Sequence, residues 1–141
     1  MQHKLNRRQL VQAAAVGAAG ATVGTRAQAA PSTVGQECMT IIYENGADVR
    51  FDFGYYESTH MPLIMRLYGE SISRFELRRG LPGADGSPAP YIATLNIYIA
   101  DVEAFEAAAA EHQAGIRADV DKFTNARLIA QRDRVVAIAD G

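Results

Sequence analysis

Between Phe51 and Leu63 the chain places four aromatic residues, two carboxylates and a histidine within thirteen positions, Phe-Asp-Phe-Gly-Tyr-Tyr-Glu-Ser-Thr-His-Met-Pro-Leu. His60 is the member of this run best suited to chemistry, because an imidazole ordinarily titrates near about pH 6.5 and so both accepts and releases a proton in neutral solution. As a general base it would take a proton from a phenol or an activated carbon and leave an electron-rich anion. Tyr56, one helical turn earlier, is spaced to hydrogen-bond that anion. Asp52 is the candidate carboxylate to orient the imidazole, or else the N-cap of the helix that follows. Such an anion could react directly with oxygen or be reprotonated elsewhere, so the same groups would serve a cofactor-free oxygenation or an isomerisation. The competing structural reading of His60 is a core histidine whose ring nitrogens are satisfied.

These residues need elements to hold them. Met39–Tyr43 is a short β-rich run ended by the turn signal Asn45-Gly46. From Gly54 to Gly69 the residues Met61, Ile64, Met65 and Tyr68 recur at helical steps, with Tyr56, His60, Leu63 and Leu67 on an adjoining stripe. Pro62 lacks a backbone N–H, which predicts a kink there or a helix that starts near Ser58. Ser71–Arg78 alternates as a second strand, and Gly80–Pro90 reads as a long loop. That loop lacks the helix start of a phosphate cradle and is expected to form a rim or a contact between copies. Tyr91–Ile99 is a third strand with Tyr91, Ala93, Leu95, Ile97 and Ile99 on one side. Asp101 caps a second helix expected to stop at Gly115, which puts His112 in its last turn as a structural cation; a shorter helical piece follows around Ile116, Val120 and Phe123. Arg127–Ile138 is the last β-rich run.

The order β, α, β, β, α, β predicts an α+β protein of ferredoxin-like βαββαβ form, with a four-stranded antiparallel sheet and both helices on one face. Both sides of the third strand are substantially apolar, so the other face is expected to be an apolar patch covered by a second copy. Two such sheets would close face to face as a homodimer. Tyr43, Asn96 and Tyr98 on the strands, together with Tyr55, are the candidate substrate-binding residues of the enclosed interior.

The chain begins differently. Arg7-Arg8 precedes an uncharged Ala/Gly-rich stretch and the small residues Ala27-Gln28-Ala29, the layout of a bacterial export signal of the twin-arginine kind. Residues 1–29 are therefore expected to be a leader, 30–36 a linker and 37–141 the folded domain, periplasmic or secreted after processing by the export machinery. The apolar stretch is shorter than the roughly 20 residues of a membrane span. Loss of the leader removes the four cations Lys4, Arg7, Arg8 and Arg26 and no acid, taking the net charge from −2 to −6. That balance argues against nucleic acid as a partner. The single cysteine, Cys38, cannot form an internal disulfide and is expected to be buried. Only His60 and His112 follow the leader, so no metal site is expected. No cofactor is expected; haem, which would need an open axial site, stays open.

Phe51-Asp52 with Tyr55-Tyr56 and His60-Met61-Pro62-Leu63, then Gly80-Leu81-Pro82-Gly83 with Asp85-Gly86 and Pro90-Tyr91, then Ile97-Tyr98 with Asp101 and Phe105, and finally Asp119-Val120 and Phe123-Thr124-Asn125, resemble an EthD domain. The likeness runs from about Cys38 to Val135. It implies membership of the dimeric α/β-barrel superfamily and an association with oxidative catabolism. Members of the family are commonly described as oxidoreductase-like, and superfamily relatives include cofactor-free monooxygenases of aromatic polyketides, lactone isomerases and haem-binding proteins. The export signal departs from the family's usual pattern and argues against a role beside cytoplasmic enzymes. The expectation is a small exported oxidoreductase that acts on a small apolar or aromatic compound. The alternative is a non-catalytic dimeric barrel that binds such a ligand.

Overall fold

The computed structural model describes residues 31–139; the expected leader lies outside them. Four strands, β1 (Glu37–Glu44), β2 (Ile72–Arg79), β3 (Tyr91–Ile99) and β4 (Leu128–Arg134), form one antiparallel sheet in the order β2-β3-β1-β4. Helical segments connect β1 to β2 and β3 to β4: α1 (Phe53–Tyr55), a π turn (Tyr56–His60) and α2 (Met61–Tyr68) in the first connection, and α3 (Val102–Phe123) in the second. This is the ferredoxin-like βαββαβ arrangement. No helix among the described residues is long and apolar enough to cross a membrane.

Alternation along β3 sets the layers. Ala93, Leu95, Ile97 and Ile99 are buried under the helices, and the register brings Tyr43, Ile41 and Met39 of β1 opposite Ala93, Leu95 and Ile97. Phe75 and Leu77 of β2 join the same side. Aromatic rings fill the layer between sheet and helices. Phe123, at the end of α3, stands 4.6 Å from the His60 ring, 5.0 Å from Tyr56 and 6.2 Å from Tyr43, centroid to centroid.

The opposite face differs from expectation. It is a polar layer rather than an apolar patch, because Thr94, Asn96 and Tyr98 stand beside Arg78, Glu76 and Arg74 of β2 on one side and Ile42, Thr40 and Cys38 of β1 on the other. Glu76 pairs with Arg74 and, at 3.6 Å, with Arg78. Thr40 and Asn96 share a hydrogen bond of 3.0 Å. Cys38 is buried in this layer, and that burial raises its thiol pKa.

α3 also departs from expectation. Asp101 does cap it, accepting from the Ala104 N–H at 3.0 Å, but Gly115 does not end it. Glycine inside a helix costs only about 1 kcal/mol relative to alanine, and the stripe of Phe105, Ile116, Val120 and Phe123 continues across it against the core. His112 therefore lies in mid-helix and not in a last turn, 3.8 Å from the Glu111 carboxylate.

Candidate functional site

The first helical stretch starts at Asp52, whose carboxylate accepts from the Tyr55 N–H at 2.9 Å. In a regular α-helix Pro62 would face the Ser58 carbonyl with no N–H to donate and with its ring in the way. The chain avoids this conflict with one wider turn, in which the Met61 N–H donates to the Tyr56 carbonyl five residues back. The Ser58 hydroxyl donates to the Gly54 carbonyl at 2.7 Å. Across the wider turn Tyr56 and His60 share a face with Ile64 and Tyr68, and all four residues line a single cavity, while Met61, Leu63, Met65 and Leu67 from the two stripes lie outside its lining.

The other half of the site comes from α3. His60 Nδ1 lies 2.7 Å from Asp119 Oδ2, with both side chains buried. The other Asp119 oxygen accepts from the Tyr55 hydroxyl at 2.9 Å and pairs with Lys122 Nζ at 3.0 Å. Burial opposes ionisation of Asp119, but hydrogen bonds from His60, Lys122 and Tyr55 outweigh it and hold the carboxyl below its usual range. A carboxylate on Nδ1 fixes the tautomer that carries the proton there and leaves Nε2 as the basic nitrogen. Nε2 has no hydrogen-bond partner among the described residues. The register between the two elements is set at the end of α3. Asp52 N–H donates to the Phe123 carbonyl at 2.8 Å, the Thr124 hydroxyl to the Arg50 carbonyl at 2.7 Å, and Arg50 N–H to Asn125 Oδ1 at 2.8 Å.

His60, Tyr43 and Tyr56 contribute to a cavity of about 90 Å³ between helices and sheet, whose remaining walls are mostly aliphatic and aromatic. The Tyr56 hydroxyl is buried without a hydrogen-bond partner. Tyr43 is its near neighbour, and burial pushes the Tyr43 phenol up to about 12 and the Tyr56 phenol higher still. Both are therefore O–H donors at any ordinary pH. The cavity is smaller than the ~300–1,000 Å³ of drug-sized ligand sites, and a haem does not fit in it. Among the described residues no group of three or more His, Cys, Asp and Glu side chains is placed to hold a metal ion.

The residues singled out by sequence thus separate into three sets. His60, Tyr56 and Tyr43 meet at the cavity. Tyr55 is near but turned away, bonded to Asp119, and Asp52 caps its helix without touching His60. Its eight-residue separation from His60 carries it to the other end of the π turn, so the orienting carboxylate is Asp119 instead. Asn96 and Tyr98 are on the far face of the sheet, because their parity on β3 is opposite to that of Leu95 and Ile97. The missed residue, Asp119, had a signal: it lies three residues after Ile116 and four before Phe123, an acid on the apolar stripe of its helix.

One four-stranded antiparallel sheet built in βαββαβ order places the chain in the ferredoxin-like α+β class. The EthD domain profile matches residues 44–127, more than half of the chain, and the protein belongs to the EthD family. Among solved structures it is similar to an EthD-like protein from Ralstonia eutropha, at 28% identity with a TM-score of 0.68, covering 74% of this chain and 96% of that one. An ethyl tert-butyl ether degradation family protein from Bacillus halodurans matches at 14% identity and TM-score 0.45, over 67% and 96% of the two chains. A dimeric ferredoxin-like protein from an uncultured marine organism matches at 13% and 0.48, over 74% and 99%. No curated protein matches the chain.

Proposed function

We propose that this EthD-family protein is a small exported oxidoreductase that works without a cofactor on a small apolar or aromatic compound, with His60 as its general base. The observation that carries this reading is the 2.7 Å pairing of a buried imidazole with Asp119 beside an apolar cavity that also holds an unpartnered tyrosine hydroxyl.

Asp119 holds the Nδ1 proton, and Nε2 removes a proton from a phenol or an activated carbon that enters the cavity. The Tyr56 O–H donates to the oxygen on which negative charge gathers. Dioxygen adds to the carbanionic carbon, forming a C–O bond as the O–O unit is reduced to peroxide. The imidazolium returns its proton to that peroxide, so substrate plus oxygen becomes a hydroperoxide with no external reductant. Without oxygen, return of the proton to a different carbon gives an isomer. The cavity is smaller than the ~150 Å³ that encloses benzene. An aromatic substrate therefore needs the half-buried wall of Tyr68, Phe75, Ile116 and Val120 to yield.

His60→Ala tests this directly. Screened against small phenols and β-dicarbonyl compounds, the variant is expected to lose oxygen uptake and substrate hydrogen–deuterium exchange by at least about 100-fold, the usual worth of a general base, while still binding ligand. If turnover persists and only stability changes, the catalytic reading is wrong.

A further inference from the structure

The Gly80–Pro90 loop takes no part in the His60 site, yet it is built rather than slack. Gly80 N–H donates to the Ile92 carbonyl at 3.0 Å, and a Cβ at Gly80 would stand 2.1 Å from the Tyr91 carbonyl oxygen, so only glycine lets the two arms of the loop approach this closely. Asn45 staples the far arm to the end of β1, its backbone N–H donating to Pro90 at 3.0 Å and its side-chain amide to Ala89 at 2.8 Å. The tip is closed by Gly83 N–H donating to the Ser87 carbonyl at 2.8 Å. Compact surface loops of about 6–16 residues that pack on themselves are frequently functional.

With the segment that follows β1, the loop walls a groove of about 450 Å³, within the ~300–1,000 Å³ of small-molecule sites. Phe51 and Phe53, with centroids 4.5 Å apart, form its floor, and Pro82 and Pro88 stand across it. Arg79 is the one ionised residue in the lining, its guanidinium lying 3.9 Å over the Phe53 ring. Arg74 and Arg78 on the same strand each have a carboxylate partner, whereas Arg79 has none among the described residues. With no carboxylate partner among those residues, the Arg79 N–H groups are left to offer the fork that matches a carboxylate.

We propose that this groove binds a small aromatic carboxylate, its ring against the Phe51–Phe53 floor and its carboxylate on the edge of Arg79. One cation over an apolar floor suits a monoanion with a flat apolar body. It suits a phosphate dianion poorly, since Arg79 is the one cation in the lining. The site is independent of the His60 reading: the Phe51 ring, 5.0 Å from Tyr43 and 5.5 Å from Tyr56, separates the groove from the residues that line the inner cavity.

The experiment is an NMR titration of the ¹⁵N-labelled processed chain with benzoate, benzamide and inorganic phosphate, repeated on Arg79→Gln and on His60→Ala. Benzoate is expected to bind saturably in the millimolar range or tighter, shifting the amides of Asn45, Phe53, Gly80 and Ala89 and leaving Asp119 unmoved. Arg79→Gln, in a chain whose spectrum is otherwise preserved, should weaken benzoate at least about tenfold, the loss expected when one charge-assisted bidentate contact is removed. His60→Ala should leave benzoate affinity unchanged. The proposal is overturned by absence of saturable binding, by benzamide or phosphate matching benzoate, by indifference to Arg79→Gln, or by shifts confined to the His60 cavity. A groove occupied by a second copy of the chain or by an acidic peptide segment would give the first of these results.

Discussion

A buried hydroxyl without a well-formed hydrogen bond costs up to about 1–3 kcal/mol relative to one that is satisfied, and Tyr56 carries such a group at the cavity wall, beside the Tyr43 phenol. Phenylalanine keeps the ring contacts with Phe51, Phe123 and His60 and removes the oxygen. Tyr56→Phe should therefore raise the denaturant midpoint, by about 1 kcal/mol in stability on the same reasoning, while slowing turnover. A loss of stability would show instead that the oxygen serves the fold. At this scale the sequence was informative about chemistry and poor about partnership. His60 and Tyr56 share a helix, so their spacing is local and readable. The carboxylate that meets His60 comes from 59 residues away, and nothing in a run of thirteen residues encodes which distant acid that is.

At the scale of elements, β3 runs between the residues its alternation foretold, and the first helix, the loop and the caps at Asp52 and Asp101 follow from short-range chemistry. The misreadings come where packing overrides local preference. Gly115 reads as a helix stop, but the apolar face on either side of it is held by the sheet, so the helix passes through. A Cβ at this position meets no atom within 4 Å. Gly115→Ala is thus expected to stabilise the protein by about 0.5–1 kcal/mol through the unfolded chain's entropy and helix propensity alone, visible as a raised Tm with unchanged ligand binding. No rise would mean that the helix needs a break there. The π turn was half legible: Pro62 announced a disturbance, and only the packed structure shows that it takes the form of a wider turn that aligns Tyr56 and His60 with Ile64 and Tyr68.

For the whole molecule, the fold was legible because six elements in that order leave few ways to build a sheet. The nature of the uncovered face was not, since residues read as apolar on β3 acquire polar neighbours only through cross-strand register. We propose that two copies pair through this polar layer. The cavity that holds His60 lies inside one protomer, so the chemistry should not depend on pairing. Sedimentation of the processed chain is expected to show a dimer, and Glu76→Lys, which places three like charges in a row with Arg74 and Arg78, should shift it to monomer without abolishing activity at the His60 site. A monomeric starting protein, or activity that vanishes with the dimer, would contradict this arrangement. The leader is legible only as composition, and its role in export is part of the functional proposal. One further property follows from the lone cysteine on the central strand. Thiol reagents act on the thiolate, and Cys38 is both buried between β3 and β4 and harder to ionise than a free thiol. Alkylation then waits until the sheet itself comes apart, which gives the native chain an internal stopwatch for unfolding, readable by mass with no dye or added tag.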